Sequence, residues 1–298
     1  MISPQITDEL EEIAAKELSA KEQPERYRQR CHPGNGGTVF DCETGPNDIE
    51  IIKSLSEPFT APAHPGEFDP RSVRLGNLKD PEKIMLKIEE AKQAHSLAVI
   101  AHENSISNAE TDYWLTQIEK APLSPILGRV LAIGFCDANE NTHTLIVGDI
   151  YDDDAEADII DEFWSKWFVP VARAGGNLIG HNIAGFDIPF LVRRSWILGV
   201  DVPRNVMDAN WRYLSSVFID TRSCWECGVR GFGGNGVPAN LDIVGRVLGE
   251  GAKTEGMTGS DFWKLLYSKD AENVEKALGY LRNDVVLNSR VARRMGVM

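Results

Sequence analysis

The run Thr38-Val39-Phe40-Asp41-Cys42-Glu43 constrains this chain more than any other segment. Gly34-Asn35-Gly36-Gly37 before it reads as a turn, and the residues that follow read as a buried strand entered from that loop. Side chains at i and i+2 of a strand project to one face, so Asp41 and Glu43 stand side by side. Two carboxylates at the end of a buried strand repel each other and resist desolvation, so they need protons or a cation as compensation. Taken alone, the pair has a plainer reading as a solvated strand end, and short motifs of this kind often mislead.

Two further acids belong to the same argument. Asn177-Leu-Ile-Gly-His181 reads as a short strand, and Ile188-Pro189-Phe190-Leu191-Val192 opens an apolar periodic run with proline in its first helical turn. Asp187 therefore falls at a strand-to-helix junction, where α/β sheets present functional groups. Capping the helix is a simpler job for it, and the two jobs are compatible. From Asn273 to Ala292 the apolar spacing is close to 3.6 residues, which puts Tyr280 and Asp284 one turn apart on one helical face. The plain alternative there is a half-buried tyrosine beside a solvated acid.

The remaining elements set the architecture. Arg129–Cys136 and Thr142–Val147 read as adjacent antiparallel strands, and Asp154–Ala174 as an amphipathic helix. Strands first, then strands alternating with helices, predict an α/β fold: a mixed sheet with helices on both faces. Residues 1–36 read as a helical N-terminal extension, with helical character from Asp8 to Glu17, and residues 37–298 as the main domain. An insertion at about 50–125 follows the first strand, because the interval is longer than a hairpin needs. It opens with the proline-rich Pro58–Pro70 and continues as a charged helix, Asp80–His95, whose Arg71, Arg74, Lys79, Lys83 and Lys87 surroundings read either as a substrate contact or as a solvated face.

Asp41-x-Glu43-Thr44, then Asn182-x-x-x-Phe186-Asp187, then Tyr280-x-x-x-Asp284 resembles the three exonuclease motifs of the DEDD superfamily of 3′-5′ exonucleases. The tyrosine spacing resembles the tyrosine branch, to which polymerase proofreading domains and RNase D belong; the histidine branch would place His where Gly279 stands. Leu241-Asp242-Ile243-Val244-Gly245-Arg246-Val247-Leu248-Gly249, followed by Lys253, and the strand Gly128–Phe135 resemble family B DNA polymerase exonuclease domains. The likeness covers residues 37–48 and 126–295. It departs at Leu281, where that subgroup usually has Cys.

The resemblance implies an RNase H-like sheet and a two-metal phosphodiester hydrolase using Mg²⁺ or Mn²⁺. It implies that Asp41 bridges the ions, that Glu43 and Asp284 complete one site and that Asp187 supports the other. Tyr280 would orient the attacking water, and Asn182 and Thr44 would contact substrate. Oxygen-only ligands suit Mg²⁺ or Mn²⁺ better than Zn²⁺. The implied substrate is DNA, as single strands or 3′ ends, released as nucleoside monophosphates. An RNase D-like exoribonuclease and a non-catalytic nucleic-acid-binding module on the same fold remain alternatives.

Composition bounds this reading. A net charge of −14 opposes non-specific binding to phosphates, so weak binding or recruitment by a protein partner is expected. Five cysteines, an odd number, argue for a reducing compartment rather than a disulfide framework. No apolar run approaches the ~18 residues of a membrane span and no leader pattern opens the chain, so the expectation is a cytoplasmic protein without membrane association.

Several motifs mislead. Gly231-Phe-Gly233-Gly-Asn-Gly236 fits a dinucleotide fingerprint but follows no convincing strand, and Gly251-Ala-Lys253-Thr254 lacks a phosphate loop's glycine before the lysine. Cys224-x-x-Cys227 has zinc-ligand spacing, with Cys31-His32 to complete a set, but one such pair is a weak signal. His181 reads as a strand-end histidine satisfied by hydrogen bonds, and Asp220, after Val217-Phe218-Ile219, as an acid bordering the site without being a ligand.

Overall fold

The computed structural model describes residues 37–61, 63–207, 214–227 and 239–298. The expected N-terminal helix, Cys31-His32 and the Gly231–Gly236 loop lie outside the described residues. The chain divides into two units, Ile49–Lys120 and the remainder.

The larger unit is built on five strands. β1 (Thr38–Pro46), β2 (Gly128–Cys136), β3 (Thr142–Ile146), β4 (Leu178–Gly180) and β5 (Phe218–Asp220) lie in the order β3-β2-β1-β4-β5. β2 runs antiparallel to β1 and β3, whereas β4 is parallel to β1 and β5 is parallel to β4. This order and mixture of directions is the RNase H-like sheet. β2 is buried at every position and β1 at nearly every one, as expected of strands covered on both faces.

Strand alternation sorts the two layers. Phe40 and Phe135 pair across β1 and β2 and point to one face. A helical run covers that face: α3 (Asp153–Glu162), a π-helical turn at Phe163–Phe168, and α4 (Val169–Arg173). The expected helix Asp154–Ala174 is therefore interrupted. Its π turn delivers Phe163, Trp164, Trp167 and Phe168 into the core, with the Phe40 and Phe163 rings 5.2 Å apart and Phe135 stacked on Trp167 at 3.7 Å. α5 (Asp187–Leu198) packs beside α3, and Trp164 Nε1 donates to Ser195 Oγ at 2.8 Å.

Between α3, β2 and α5, Glu156, Arg194 and Arg129 form a buried ionic cluster, which the exposed Asp153 joins from the surface. Glu156 accepts two bonds from Arg194, at 2.8 and 2.6 Å, and one from the Val130 N–H at 2.8 Å. Arg129 lies 3.4 Å from the same carboxylate and 3.0 Å from Asp153.

On the opposite face are α7 (Leu241–Leu248), α8 (Gly259–Tyr267) and α9 (Ala271–Arg294). α9 reaches the sheet over Gly134, where a Cβ would meet Leu281 Cγ at 2.8 Å and Val285 Cγ1 at 3.2 Å. Gly134 pairs with Asp41, so this close seat sets α9 directly beside the first acid.

The smaller unit holds α1 (Ile49–Leu55) and α2 (Pro81–Lys120). α2 has 40 residues, far beyond the expected end at His95, because no proline or glycine interrupts Glu82–Lys120. Within the unit Tyr113 OH donates to the Glu57 carbonyl at 2.6 Å, and Phe59 and Phe68 lie against Tyr113 and His95. Leu86, Leu97, Ile100 and Leu115 of α2 are exposed.

Candidate active site

Two elements bring three of the four sequence-predicted acids together, and Asp187 is not among the three. β1 supplies Asp41 and Glu43 on its α9 face, and α9 supplies Asp284. Ligand oxygens of these three carboxylates lie within 4.8 Å of one another. A β-bulge between Glu43 and Thr44 shifts the register of β1 against β2 just past the acids, and the pairing then continues to Pro46; such bulges are common where a strand re-aims its side chains beside a site.

Asp187 reaches the same strand from the other side. β4 pairs with β1 only at Thr38 and Val39, which leaves the next stretch of β1 without a strand on that edge. The Cys42 N–H donates to Asp187 Oδ1 at 3.0 Å and closes the gap. Phe186, not Asp187, is the cap residue of α5; Asp187 is the first helical residue, where the helix dipole favours a carboxylate.

Asp41 is partly buried, while Glu43, Asp187 and Asp284 are buried. Burial, then the charges of Asp187 and Asp284, pushes the Asp41 pKa well above the usual carboxylate range. Burial and the neighbouring Asp41 and Asp284 do the same to Glu43. Burial lifts Asp187 to about 7 against the opposing Cys42 hydrogen bond, and also raises Asp284 despite Lys253 beside it. The cause throughout is loss of water around crowded like charges.

One cation answers part of this. Lys253 Nζ contacts Asp284 Oδ2 and donates to Tyr280 OH at 3.3 Å, lying 5.4 Å from that ring's centroid. Burial opposes its charge, but Asp284 and Asp41 outweigh that and hold its pKa above the ordinary lysine value. Its backbone is pinned by a 2.9 Å bond from its N–H to Asp242 Oδ1. Lys253 closes the Leu241–Gly249 stretch in the sequence, where no local pattern announces a contact across 31 residues to Asp284.

Tyr280 is buried one turn before Asp284. Burial, then the Asp284 charge, raises its phenol well above 10 and keeps it neutral. The Thr44 hydroxyl is a buried strut, donating to the Pro122 carbonyl at 2.7 Å. His181 bonds through Nε2 to the Ala239 carbonyl at 2.6 Å and through Nδ1 to Thr221 Oγ1 at 3.0 Å. Asn182 lies in the loop between β4 and α5, and Asp220 accepts its N–H at 2.8 Å.

A divalent cation suits this arrangement. The donors are all carboxylate oxygens, and Asp284 Oδ1 is buried with no hydrogen-bond partner among the described residues. Both facts suit a divalent cation held by oxygen ligands. Cys224 and Cys227 are free thiols, and among the described residues they belong to no metal-ligating cluster.

A family described as predicted 3′-5′ exonucleases related to the exonuclease domain of PolB matches residues 123–294, more than half of the chain. The chain belongs to this family. The matched span holds Asp187, Tyr280 and Asp284 but begins after Asp41 and Glu43, so the structure is what joins the first motif to the rest. Members of such exonuclease domains use divalent metals, and a nucleic acid is the implied substrate. Among solved structures the chain is similar to the family B DNA polymerase from the hyperthermophilic archaeon Pyrobaculum calidifontis, at 18% identity and a TM-score of 0.42 over 59% of this chain; the match spans 22% of the polymerase chain. No curated protein matches the chain. Among the described residues no helix is long and apolar enough to cross a membrane.

Proposed function

We propose that this protein is a metal-dependent 3′-5′ exonuclease that hydrolyses DNA strands to nucleoside monophosphates. The observation that carries the reading is the convergence of Asp41, Glu43 and Asp284 within 4.8 Å, from segments more than 240 residues apart. Two Mg²⁺ or Mn²⁺ ions would be held by these three and Asp187, with Asp41 shared. When bound, they would supply Lewis acidity toward a phosphoryl oxygen and the attacking water.

The chain's own groups do the rest. The neutral Tyr280 phenol is a hydrogen-bonding positioner for water rather than a base. Lys253 fixes both Tyr280 and Asp284. Asn182 contacts the strand near its 3′ end, and Thr44 offers it backbone beside the bulge. The family's tie to PolB favours DNA over RNA. The net charge of −14 favours weak intrinsic binding and recruitment by a partner protein in the cytoplasm. Residues 1–36 and the Ile49–Lys120 unit are, in this reading, an extension and an insertion around the exonuclease domain.

The test is degradation of matched single-stranded DNA and RNA oligomers, labelled at either end, with Mg²⁺ or Mn²⁺. Stepwise loss from the 3′ end of DNA, abolished by chelator, is expected. Preference for the RNA oligomer would replace this assignment with an exoribonuclease, and absence of cleavage with either ion would leave only a binding module.

A further inference from the structure

Asn182 is held in an uncommon way. Its φ of +67° lies in the left-handed region that non-glycine residues rarely occupy, a conformation that persists only where surroundings enforce it. The enforcement comes from the end of β5. Asp220 Oδ1 accepts the Asn182 N–H at 2.8 Å and Oδ2 accepts the Ala184 N–H at 3.0 Å. The same Oδ1 accepts the Arg222 N–H at 2.9 Å and so starts α6 (Thr221–Trp225).

Arg222 then returns to Asn182 through its side chain. Its Nη1 donates to Asn182 Oδ1 at 3.1 Å, and its Nε donates to Glu226 at 3.0 Å. A guanidinium can only donate, so the oxygen end of the Asn182 amide must face Arg222, which leaves the NH₂ end free of that bond. Gly185 makes room for this rotamer, since a Cβ there would sit 2.7 Å from Asn182 Oδ1. Of the five donors on a guanidinium, two are engaged in these bonds. The Arg222 side chain is 46% exposed, and with Lys253 it lies within electrostatic reach of His181 at the end of β4.

We propose that Arg222 is a substrate-anchoring residue: it locks the Asn182 amide with its donors outward and itself binds a backbone phosphate of the single strand entering the carboxylate site. This rests on the exonuclease reading above and deepens it. An acidic protein gains most from cations placed beside the site, and arginine suits the task because one planar fork serves an amide oxygen and a phosphate together.

The experiment measures binding without hydrolysis. A 5′-fluorescein single-stranded oligothymidylate is titrated in EDTA with wild type, Arg222→Ala, Arg222→Lys and Glu226→Ala, across a salt series, by fluorescence anisotropy. Arg222→Ala should weaken binding about tenfold and flatten the log Kd against log salt slope by about 0.7, the loss of one phosphate contact. Arg222→Lys should keep the slope and lose part of the affinity, and Glu226→Ala, which removes the anion paired with Arg222, should bind at least as tightly as wild type. With Mn²⁺ present, Arg222→Ala should raise KM about tenfold and change kcat less than about threefold. Unchanged affinity and slope in Arg222→Ala, or a fall in kcat alone, overturns the anchoring role. Wild type that binds and cleaves in the same assays keeps the exonuclease reading even then; wild type that does neither removes both.

Discussion

The ammonium group of Lys253 rests against the Asp284 carboxylate and within 3.3 Å of the Tyr280 hydroxyl. A single cation thus offsets one of the clustered acids and also links the phenol to them. Replacing it should separate these two jobs. Lys253→Met should tighten Mn²⁺ binding at pH 8 severalfold, because a competing positive charge is gone. The same variant should lose about 10²-fold in kcat, as removal of one preorganised donor typically does. Titration calorimetry and single-turnover cleavage check the two halves. Weaker Mn²⁺ binding in the variant would show that the lysine supports ion binding rather than competing with it.

The raised carboxyl pKa values make metal-free stability depend on pH with a definite sign. Asp41, Glu43 and Asp284 are shifted upward and Asp187 stands at about 7, all above the ~4 expected in the unfolded chain. The folded state then binds more protons than the unfolded one across that interval. Their stabilising contribution is complete below ~4 and is lost as pH rises through the folded values. Lys253, shifted upward from an already high value, stays charged throughout and adds no slope. Asp41→Asn should therefore raise the metal-free Tm at pH 8 and leave it nearly unchanged at pH 4, while abolishing cleavage. Thermal melts at the two pH values decide; a lower Tm for the variant at pH 8 contradicts the crowding.

Gly134 is the contact through which α9 is seated. An added methyl would fall 2.8 Å from Leu281 Cγ and 2.9 Å from Leu281 Cδ1, closer than packed carbons approach. Gly134→Ala should cost about 1–3 kcal/mol of stability by overpacking. It should also reduce Mn²⁺ affinity, because Asp284 rides on the displaced helix while Asp41 lies on the strand. Denaturant melts and metal titration test this together. A variant that loses stability but keeps wild-type metal affinity would show that α9 yields without moving Asp284.

Much of this site is legible in the sequence because its chemistry is local to short motifs. The i, i+2 acids of β1, the junction at Asp187 and the one-turn spacing of Tyr280 and Asp284 each follow from the geometry of one element. The sheet was legible for the same reason, since Arg129–Cys136 and Thr142–Val147 carry continuous or alternating apolar runs. What was not legible depends on contacts between distant segments. The Lys253 pairing, the Asp220 hold on Asn182 and the Cys42 bond to Asp187 leave no periodicity behind. The length of α2 is not legible because charged and apolar residues mix there without one dominant face. The π turn is not legible because Phe163–Phe168 supplies apolar side chains at a density a regular helix also carries.

Tyr280 is buried and its phenol stays protonated at any working pH, so it can position water but cannot remove a proton from it. Tyr280→Phe keeps the ring that packs in the core and removes only the hydroxyl. It should lower kcat about 10- to 100-fold and leave the Mn²⁺ affinity within about twofold of wild type. The pH–rate profile should keep its shape, since the lost group does not titrate in the window. Loss of metal binding in Tyr280→Phe, seen by calorimetry, contradicts a positioning role.

The Glu156 cluster makes a prediction that separates folding from chemistry. It lies on the α3 and α5 face of the sheet, away from Asp41 and Glu43, yet α5 also carries Asp187 at its start. Glu156→Gln keeps the shape of the side chain and removes the charge that faces Arg194 and Arg129, both at most 2% exposed. An uncompensated buried charge typically costs about 3–5 kcal/mol. Arg129 keeps Asp153 as a partner, so the penalty falls mainly on Arg194. Glu156→Leu combined with Arg194→Met should recover a large part of the loss, because an apolar pair of similar volume has no charge to bury. The recovery should be incomplete, since the Val130 N–H loses its acceptor. Well below their melting temperatures both variants should keep wild-type kcat, measured per folded molecule, because nothing in the cluster touches the acids. A fall in kcat without a fall in Tm would show instead that the cluster sets the position of Asp187 through α5.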